Sequence, residues 1–285
     1  MEDTFENYRP MLFGIAYRML GSVMEAEDMV QETYLRFQAT PPETIRAPKA
    51  FLATITTRLC LDHLKSAQEK RVSYYGPWLP EPLLTDEGAP PQRAIEHESL
   101  SMAFLVLLEN LSPAERAVFL LHEVFDYEYA EIARIIDKEE AACRQLLHRA
   151  RKHVSDHRPR FPSSPEVHQQ MLGKFMMAVG GGDIQGLMNL LAENVTSWGD
   201  GGGKAVGAGK YPVYGRDKVA RLMLGLGKWV ANKGYTFEVK QVNEQPAIVY
   251  TLDGQTQGVV LLEVGDDGLI YGVRSVVNPD KLKHL

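Results

Sequence analysis

Cysteine is nearly missing from this chain. Cys60 and Cys143 are the only two, they fall in separate helical patterns, and neither has metal-ligand spacing. A disulfide framework and a zinc site are therefore not expected, and a reducing, cytoplasmic setting is. Long apolar runs are missing too. No stretch nears the ~20 apolar residues of a membrane-spanning helix, and the acidic start MEDTFENYRP is unlike a basic leader, so no membrane partner is expected. Beyond residue 165 the only histidines are His168 and His284, and there is no cysteine. Acid–base chemistry needs a positioned histidine or carboxylate, and little is available there. No catalytic residue, metal or cofactor is expected, and the chain is read as a protein that is not an enzyme.

What is present suffices for packed cores: 45% of residues are hydrophobic and 24% charged, ordinary globular values. At ~150 residues per domain, the 285-residue length points to two or three domains. A net charge of −6 argues at first against nucleic acid, but lysine and arginine gather in two islands, residues 46–71 and 144–165, with acidic stretches before and between them. Two separate basic places suit a chain that touches DNA twice while acidic faces meet something else. Lysine and arginine also collect at helix C-termini, so charge alone leaves solvated helix ends equally open.

The spacing of Leu12, Ile15, Ala16, Met19 and Leu20 predicts a helix that Gly21 ends. Ser22 to Glu25 has capping-box spacing, and Ala26, Met29, Val30, Thr33 and Phe37 make one face of the next helix. A third helix is predicted over about 48–67. Residues 72–95 carry Pro77, Pro80, Pro82, Pro90 and Pro91 and read as a linker, yet Trp78 and Leu79 sit in its stiffened part. Large apolar side chains there suit a docked segment, because proline lowers the entropy lost on ordering. Ser112-Pro113-Ala114-Glu115 predicts a capped helix start.

From residue 165 the pattern changes. Helices are predicted near 166–179 and 183–192, then a glycine-rich loop from Trp198 to Gly209, a helix near 215–229, and strands near 235–242, 247–252, 257–264 and 269–277. Asp253-Gly254 and Asp267-Gly268 read as hairpin turns. Helices followed by a meander indicate an α+β domain.

The sharpest local pattern runs from Tyr127 to His153. Tyr129, Ile132, Ala133 and Ile136 form one apolar stripe, Asp137-Lys138 makes a turn, and Ala142, Cys143, Leu146, Leu147 and Ala150 face inward on a second helix. Glu140, Arg144, Gln145, His148, Arg149 and Lys152 are left outside. This is the pattern of a helix-turn-helix with a recognition helix. Arginine suits the guanine edge and glutamine adenine. Arg151, Lys152, Arg158 and Arg160 read as phosphate contacts, which position without specifying.

At this point a family resemblance becomes specific. Residues 4–157 resemble the two-domain core of the extracytoplasmic-function (ECF) sigma factors. The segment Ala26 to Phe37 is similar to that family's polymerase-binding helix, which implies that Asp28, Gln31, Glu32, Leu35 and Arg36 meet the clamp coiled coil of the large subunit of core RNA polymerase. A flap contact is implied as well. Phe51 to Arg71 resembles the segment that recognises the promoter −10 element, with Arg58, Asp62, His63 and Lys65 on its polar side. The preceding loop, with Arg46 and Lys49, would hold a flipped base. Ser112 to Val154 resembles the domain that reads the −35 element, implying Arg144, Gln145, His148, Arg149, Arg151 and Lys152. Two departures stand out: Asp137-Lys138 replaces the usual glycine of the turn, and Glu139-Glu140 puts acid near the DNA side.

The remaining 120 residues look like a SnoaL-like domain of the wider NTF2-like fold, a cone of helices on a curved sheet. Three segments resemble one subgroup of sigma factors with this extension: Trp78-Leu79-Pro80-Glu81-Pro82, Asp200-Gly201-Gly202-Gly203-Lys204 and Asn278-Pro279-Asp280-Lys281-Leu282. The resemblance implies regulation in cis through contact between linker and extension, and it allows a small ligand as a further partner. Lys204 beside three glycines resembles an anion cradle, but no strand-to-helix phosphate-loop pattern surrounds it. The expected architecture is therefore multidomain: all-α sigma domains over 1–71 and 96–160, the second a helix-turn-helix, a linker over 72–95, and an α+β SnoaL-like domain over 165–285. The expected function is a sigma factor that directs polymerase to promoter DNA. A ligand-responsive helix-turn-helix repressor, and a small-molecule enzyme with a DNA-binding module, are the alternatives.

Overall fold

The computed structural model describes residues 2–72, 74–85, 100–157, 164–205 and 208–285. They form two compact units. The first holds the described residues up to 72 together with Leu100 and 104–157; the second holds 74–85, 101–103 and the described residues from 164 onward.

In the first unit α1 (Glu2–Leu20), α2 (Val23–Gln38) and α3 (Pro48–Val72) form one helical group. Gly21, at φ +68°, ends α1 in a left-handed conformation that a side chain would oppose. The Ser22 hydroxyl then accepts from the Glu25 N–H at 3.2 Å, capping α2. Ala26, Val30, Thr33 and Phe37 are its buried stripe. A buried hydroxyl needs a partner, and Thr33 finds one in Thr56 of α3 at 2.9 Å. Phe5, Leu12 and Leu52 complete this core with Val30 and Phe37.

A second group comprises α4 (Met102–Glu109), α5 (Pro113–Glu123), α6 (Tyr129–Ile136) and α7 (Glu140–His157). At the capped start read from the sequence a full capping box is formed: Glu115 N–H donates to the Ser112 hydroxyl, and Ser112 N–H to the Glu115 carboxylate. Asp137 closes α6 at φ +55°, ψ +57°, a region that aspartate tolerates better than most residues. Cys143, Leu146, Leu147 and Ala150 are buried beneath α7. Arg116, 3% exposed, joins the two groups: it pairs with Glu109 at 2.6 Å and donates to the Met19 carbonyl at the end of α1. Burial pushes the Cys60 and Cys143 thiols up, so neither is a ready thiolate. Among the described residues, no helix is long and apolar enough to cross a membrane.

The second unit runs α8 (Pro165–Gly181), α9 (Ile184–Leu190), β1 (Leu191–Asp200), β2 (Val213–Tyr214), α10 (Arg216–Ala231), β3 (Thr236–Val242), β4 (Gln245–Leu252), β5 (Gln255–Val264) and β6 (Ile270–Val276). The sheet order is β2-β1-β6-β5-β4-β3, with β1 parallel to β6 and every other pair antiparallel. Met171, Phe175, Val219 and Met223 pack from the helices onto Ile248, Leu262 and Val273 of the sheet. Side chains of this size stabilise by ~1.5–3 kcal/mol each on burial. Helices on one face of a meandering sheet are the α+β layout expected.

The sequence reading placed a helix to 192 and a loop from Trp198; both are corrected here. Leu191 to Asp200 is one continuous strand, held between β2 and β6. Its Glu193-Asn194 pair and Gly199 hide the alternation that marks a strand, and its parallel partner lies far along the chain. A third hairpin turn also emerges: Asn243 and Glu244 both take positive φ, 53° and 59°, between β3 and β4.

Candidate functional site

The surface of α2 follows from its buried stripe. With Ala26, Val30, Thr33 and Phe37 inside, Asp28, Gln31, Leu35 and Arg36 are exposed and Glu32 is half-exposed. Leu35 and Met24 are each 52% exposed, apolar side chains that gain nothing from water. Arg36 pairs with Glu32 one turn away at 2.8 Å, which holds both along the helix. The result is a face with Asp28 and Gln31 at its centre and an apolar side chain, Met24 or Leu35, towards each end.

The residues expected to meet DNA divide in two. Arg46 and Lys49 are exposed in the approach to α3, with Lys49 over the Tyr127 ring at 5.2 Å. Asp62 and Lys65 pair with each other at 2.9 Å on an open face, and the His63 ring lies 3.1 Å from Glu25. Arg58 is different. Its guanidinium donates to the carbonyls of Arg134 and Ile135, both at 2.8 Å, and so caps the electronegative C-terminal end of α6.

On α7 all six expected residues are exposed. Arg144, Gln145, His148 and Arg149 line one hollow. Arg144 pairs with Glu140 and lies over Tyr129, Arg149 pairs with Glu115, and Arg151 with Glu123. Burial pushes the Glu115 carboxyl up, but hydrogen bonds from Ser112 and Arg149 outweigh it and hold it below the ordinary range. Arg158 and Arg160 lie outside the described residues.

The third constellation is inside the second unit, where residues 74–85 are strapped down by polar contacts. Asp200, at the end of β1, is fully buried. It accepts from the Tyr74 hydroxyl at 2.5 Å, from the Leu79 N–H at 2.8 Å and from the Lys281 ammonium at 2.7 Å. Lys281 also donates to the Leu79 carbonyl and stands 4.1 Å over the Trp78 ring. Asn278 donates to Tyr74, and Lys204 pairs with Asp280. Pro77, Leu79, Pro80, Glu81 and Pro82 are all buried.

This clasp explains the glycines. Gly202 (φ +56°) and Gly203 (φ +72°) turn the chain beside it, and a Cβ on Gly202 would lie 2.4 Å from Asn278 Nδ2. A Cβ on Gly201 would lie 2.6 Å from that of Ala208. Past the clasp, Leu84 bridges Val242 and Thr85 N–H donates to the Gln241 carbonyl, so the strap prolongs the sheet beyond β3.

The chain's relatives decide its family. Residues 4–70 match the Sigma-70 region 2 model and residues 101–154 the Sigma-70 region 4 model. The ECF RNA polymerase sigma factor SigJ of Mycobacterium tuberculosis is 41% identical over 225 residues, 78% of this chain and 72% of its own length. The probable ECF RNA polymerase sigma factor SigI of the same organism is 32% identical over 280 residues, 98% of this chain and 93% of its own. This chain belongs to the ECF RNA polymerase sigma factors. The crystal structure of M. tuberculosis SigJ matches it with a TM-score of 0.77 and 34% identity, covering 99% of this chain and 98% of that one. The likeness thus extends through the C-terminal unit of the sigma factor.

Sequence reading grouped the three clasp segments but missed several members. Tyr74 starts the strap two residues after the end of α3, and both its burial and its bond to Asp200 push its hydroxyl well above the ordinary tyrosine range. Asn243 accepts from Leu83 N–H at 3.1 Å, and His284 lies 2.6 Å from the Pro82 carbonyl. The Tyr-Tyr-Gly run before Pro77 was a usable cue, since aromatic residues in a linker suit docking. Nothing local marks Asn243 or His284.

Proposed function

We propose that this sigma factor brings core RNA polymerase to promoter DNA and starts transcription there, and that residues 165–285 tune it in cis through the strapped linker. The observation that carries the polymerase half is the face of α2: Leu35 is 52% exposed beside Asp28, Gln31, Glu32 and Arg36. We assign that face to the clamp coiled coil of the large subunit, residues 96–160 to the flap and the −35 element, and Arg46, Lys49, Arg58, Asp62, His63 and Lys65 to the −10 element. Arg58 reaches a phosphate or base only after leaving the α6 carbonyls, so promoter engagement separates α3 from α6. The clasp supports the regulatory half. Asp200, the best-placed carboxylate of the C-terminal unit, has its oxygens committed to three donors and serves as an anchor rather than a base.

The test is promoter-specific transcription by the purified chain with core polymerase. Leu35→Ala and Asp28→Ala are expected to lower transcript yield by about tenfold or more, the size of ~1.4 kcal/mol lost at a contact centre, while leaving the unfolding midpoint in place. Failure of the chain to form any complex with core polymerase sinks the reading. Truncation near Ser163 and Trp78→Ala are both expected to shift transcription; indifference to both removes the regulatory half alone.

A further inference from the structure

Beside the clasp, the second unit carries a half-open cavity of about 670 Å³, within the size range of small-molecule sites. It lies between the end of α10, the turn joining β4 to β5, and the C-terminal turn. One wall is aromatic. Trp229 and Tyr235 have ring centroids 6.1 Å apart, and Tyr235 meets Tyr250 edge-on at 5.7 Å. The apolar core packs separately, between the helices and the sheet, so this is a space left beside a filled interior.

The rim is cationic. Lys204, Lys233 and Lys283 line the cavity, and no acidic side chain is among its described lining residues. Lys233 sits 4.1 Å over the Trp229 ring, while Lys204 and Lys283 share Asp280 just outside. A flat ring would stack on the Trp229–Tyr235 wall, and an anionic group would meet the exposed ammonium groups at the rim. The Tyr250 hydroxyl and the amides of Gln255 and Gln257 offer further donors.

We infer that this cavity binds a small aromatic carboxylate or sulfonate. Its position next to the clasp follows from one short turn. Asp280, which holds Lys204 and Lys283, directly precedes Lys281, which holds Trp78, Leu79 and Asp200. An anion that draws Lys204 and Lys283 from Asp280 therefore acts on the turn that fastens the linker. The binding site stands by itself; transmission to the linker rests on the proposed regulation in cis.

The binding test uses the full chain, with 2-naphthoate and 1-naphthalenesulfonate as probes, 2-naphthalenemethanol as the uncharged control, and calorimetry as the readout. The anions are expected to bind saturably at one site, and the alcohol about tenfold more weakly. Trp229→Leu and the exposed Lys233→Gln are each expected to weaken the anions about tenfold, with unfolding midpoints checked alongside. No saturable binding of either anion, equal binding of the alcohol, or indifference to Lys233→Gln in a folded variant overturns the site. Transmission is read separately, from promoter transcription with and without 2-naphthoate. Retained binding with unchanged transcription leaves the site standing and overturns transmission, whereas indifference to truncation near Ser163 overturns the regulatory reading itself.

Discussion

On α7, Arg144, Arg149 and Arg151 stand 2.6–2.8 Å from carboxylates while 52–59% of each side chain remains in water. In the clasp, Lys281 stands 2.7 Å from Asp200 with 8% and 0% exposed. The contact distances are alike and the energetics are not. Exposed pairs are screened and contribute ~0–1 kcal/mol, so the α7 arginines can trade Glu115, Glu123 or Glu140 for a phosphate or a base edge at little cost. A buried pair is different. Removing one partner strands a charge where water does not reach, at a cost of several kcal/mol. One region keeps its charges available to a partner; the other uses them to make a single arrangement of the linker unique.

The strongest way to break this contrast is Asp200→Ala, which leaves the Lys281 ammonium buried beside Trp78. Urea unfolding of the full chain is expected to lose about 3–5 kcal/mol, with only part of it recovered in the double variant Asp200→Leu with Lys281→Met, which removes the stranded charge but leaves the Leu79 main chain without its partners. A loss below about 1 kcal/mol would put the clasp in the same class as the α7 pairs.

Next comes Gly202→Ala. The new methyl meets Asn278 Nδ2 at 2.4 Å and the Tyr74 hydroxyl at 3.1 Å on a backbone at φ +56°. Thermal melts should show a loss of about 1–3 kcal/mol. Gly173→Ala, in α8 with nothing within 4 Å of the added carbon, should instead gain about 0.5–1 kcal/mol. Equal effects at the two glycines would contradict the crowding argued for the clasp.

The second unit also hides a titratable ring. Burial pushes the His168 imidazole below the ordinary histidine value, with a hydrogen bond to the Leu262 main chain pulling the other way, and among the described residues its Nε2 has no hydrogen-bond partner. The unfolded chain therefore takes up this proton first as pH falls. The stabilising contribution is full above the unfolded value of about 6.5 and declines below it. Unfolding midpoints measured from pH 7.5 to 5.5 should fall in the parent, and fall less in His168→Phe. Parallel slopes would remove His168 from the account.

The smallest stability effect belongs to α7. Arg144→Ala is expected to change unfolding by no more than about 0.5 kcal/mol while weakening binding of polymerase holoenzyme to the promoter. A base-specific role would appear as relaxed preference at one −35 position, and a phosphate role as uniform weakening with a smaller salt slope. A large stability loss would mean that this arginine is structural.

Much of the fold was legible where short-range chemistry acts alone. Ser112 with Glu115, Gly21, and Asp253-Gly254 set their caps and turns from neighbours within a few residues. The apolar periods of α2, α6 and α7 marked their buried faces, and thereby which side chains were left for partners. β1 was illegible because its parallel partner β6 begins some seventy residues later. Arg58 was legible only in part, for the same reason. Its place on the polar side of α3 was readable, but its acceptors on Arg134 and Ile135 were not.

The sequence by itself determined which faces of α2 and α7 stay in water, because a helix that spends its apolar stripe on the core has only one side left. It also determined that Trp78 and Leu79 were too apolar for a free linker. Only the tertiary structure decided where they went. A buried carboxylate needs donors converging from several directions, and those of Asp200 come from Tyr74, Leu79 and Lys281, which lie 126, 121 and 81 residues from it along the chain, so that no local pattern can bring them together.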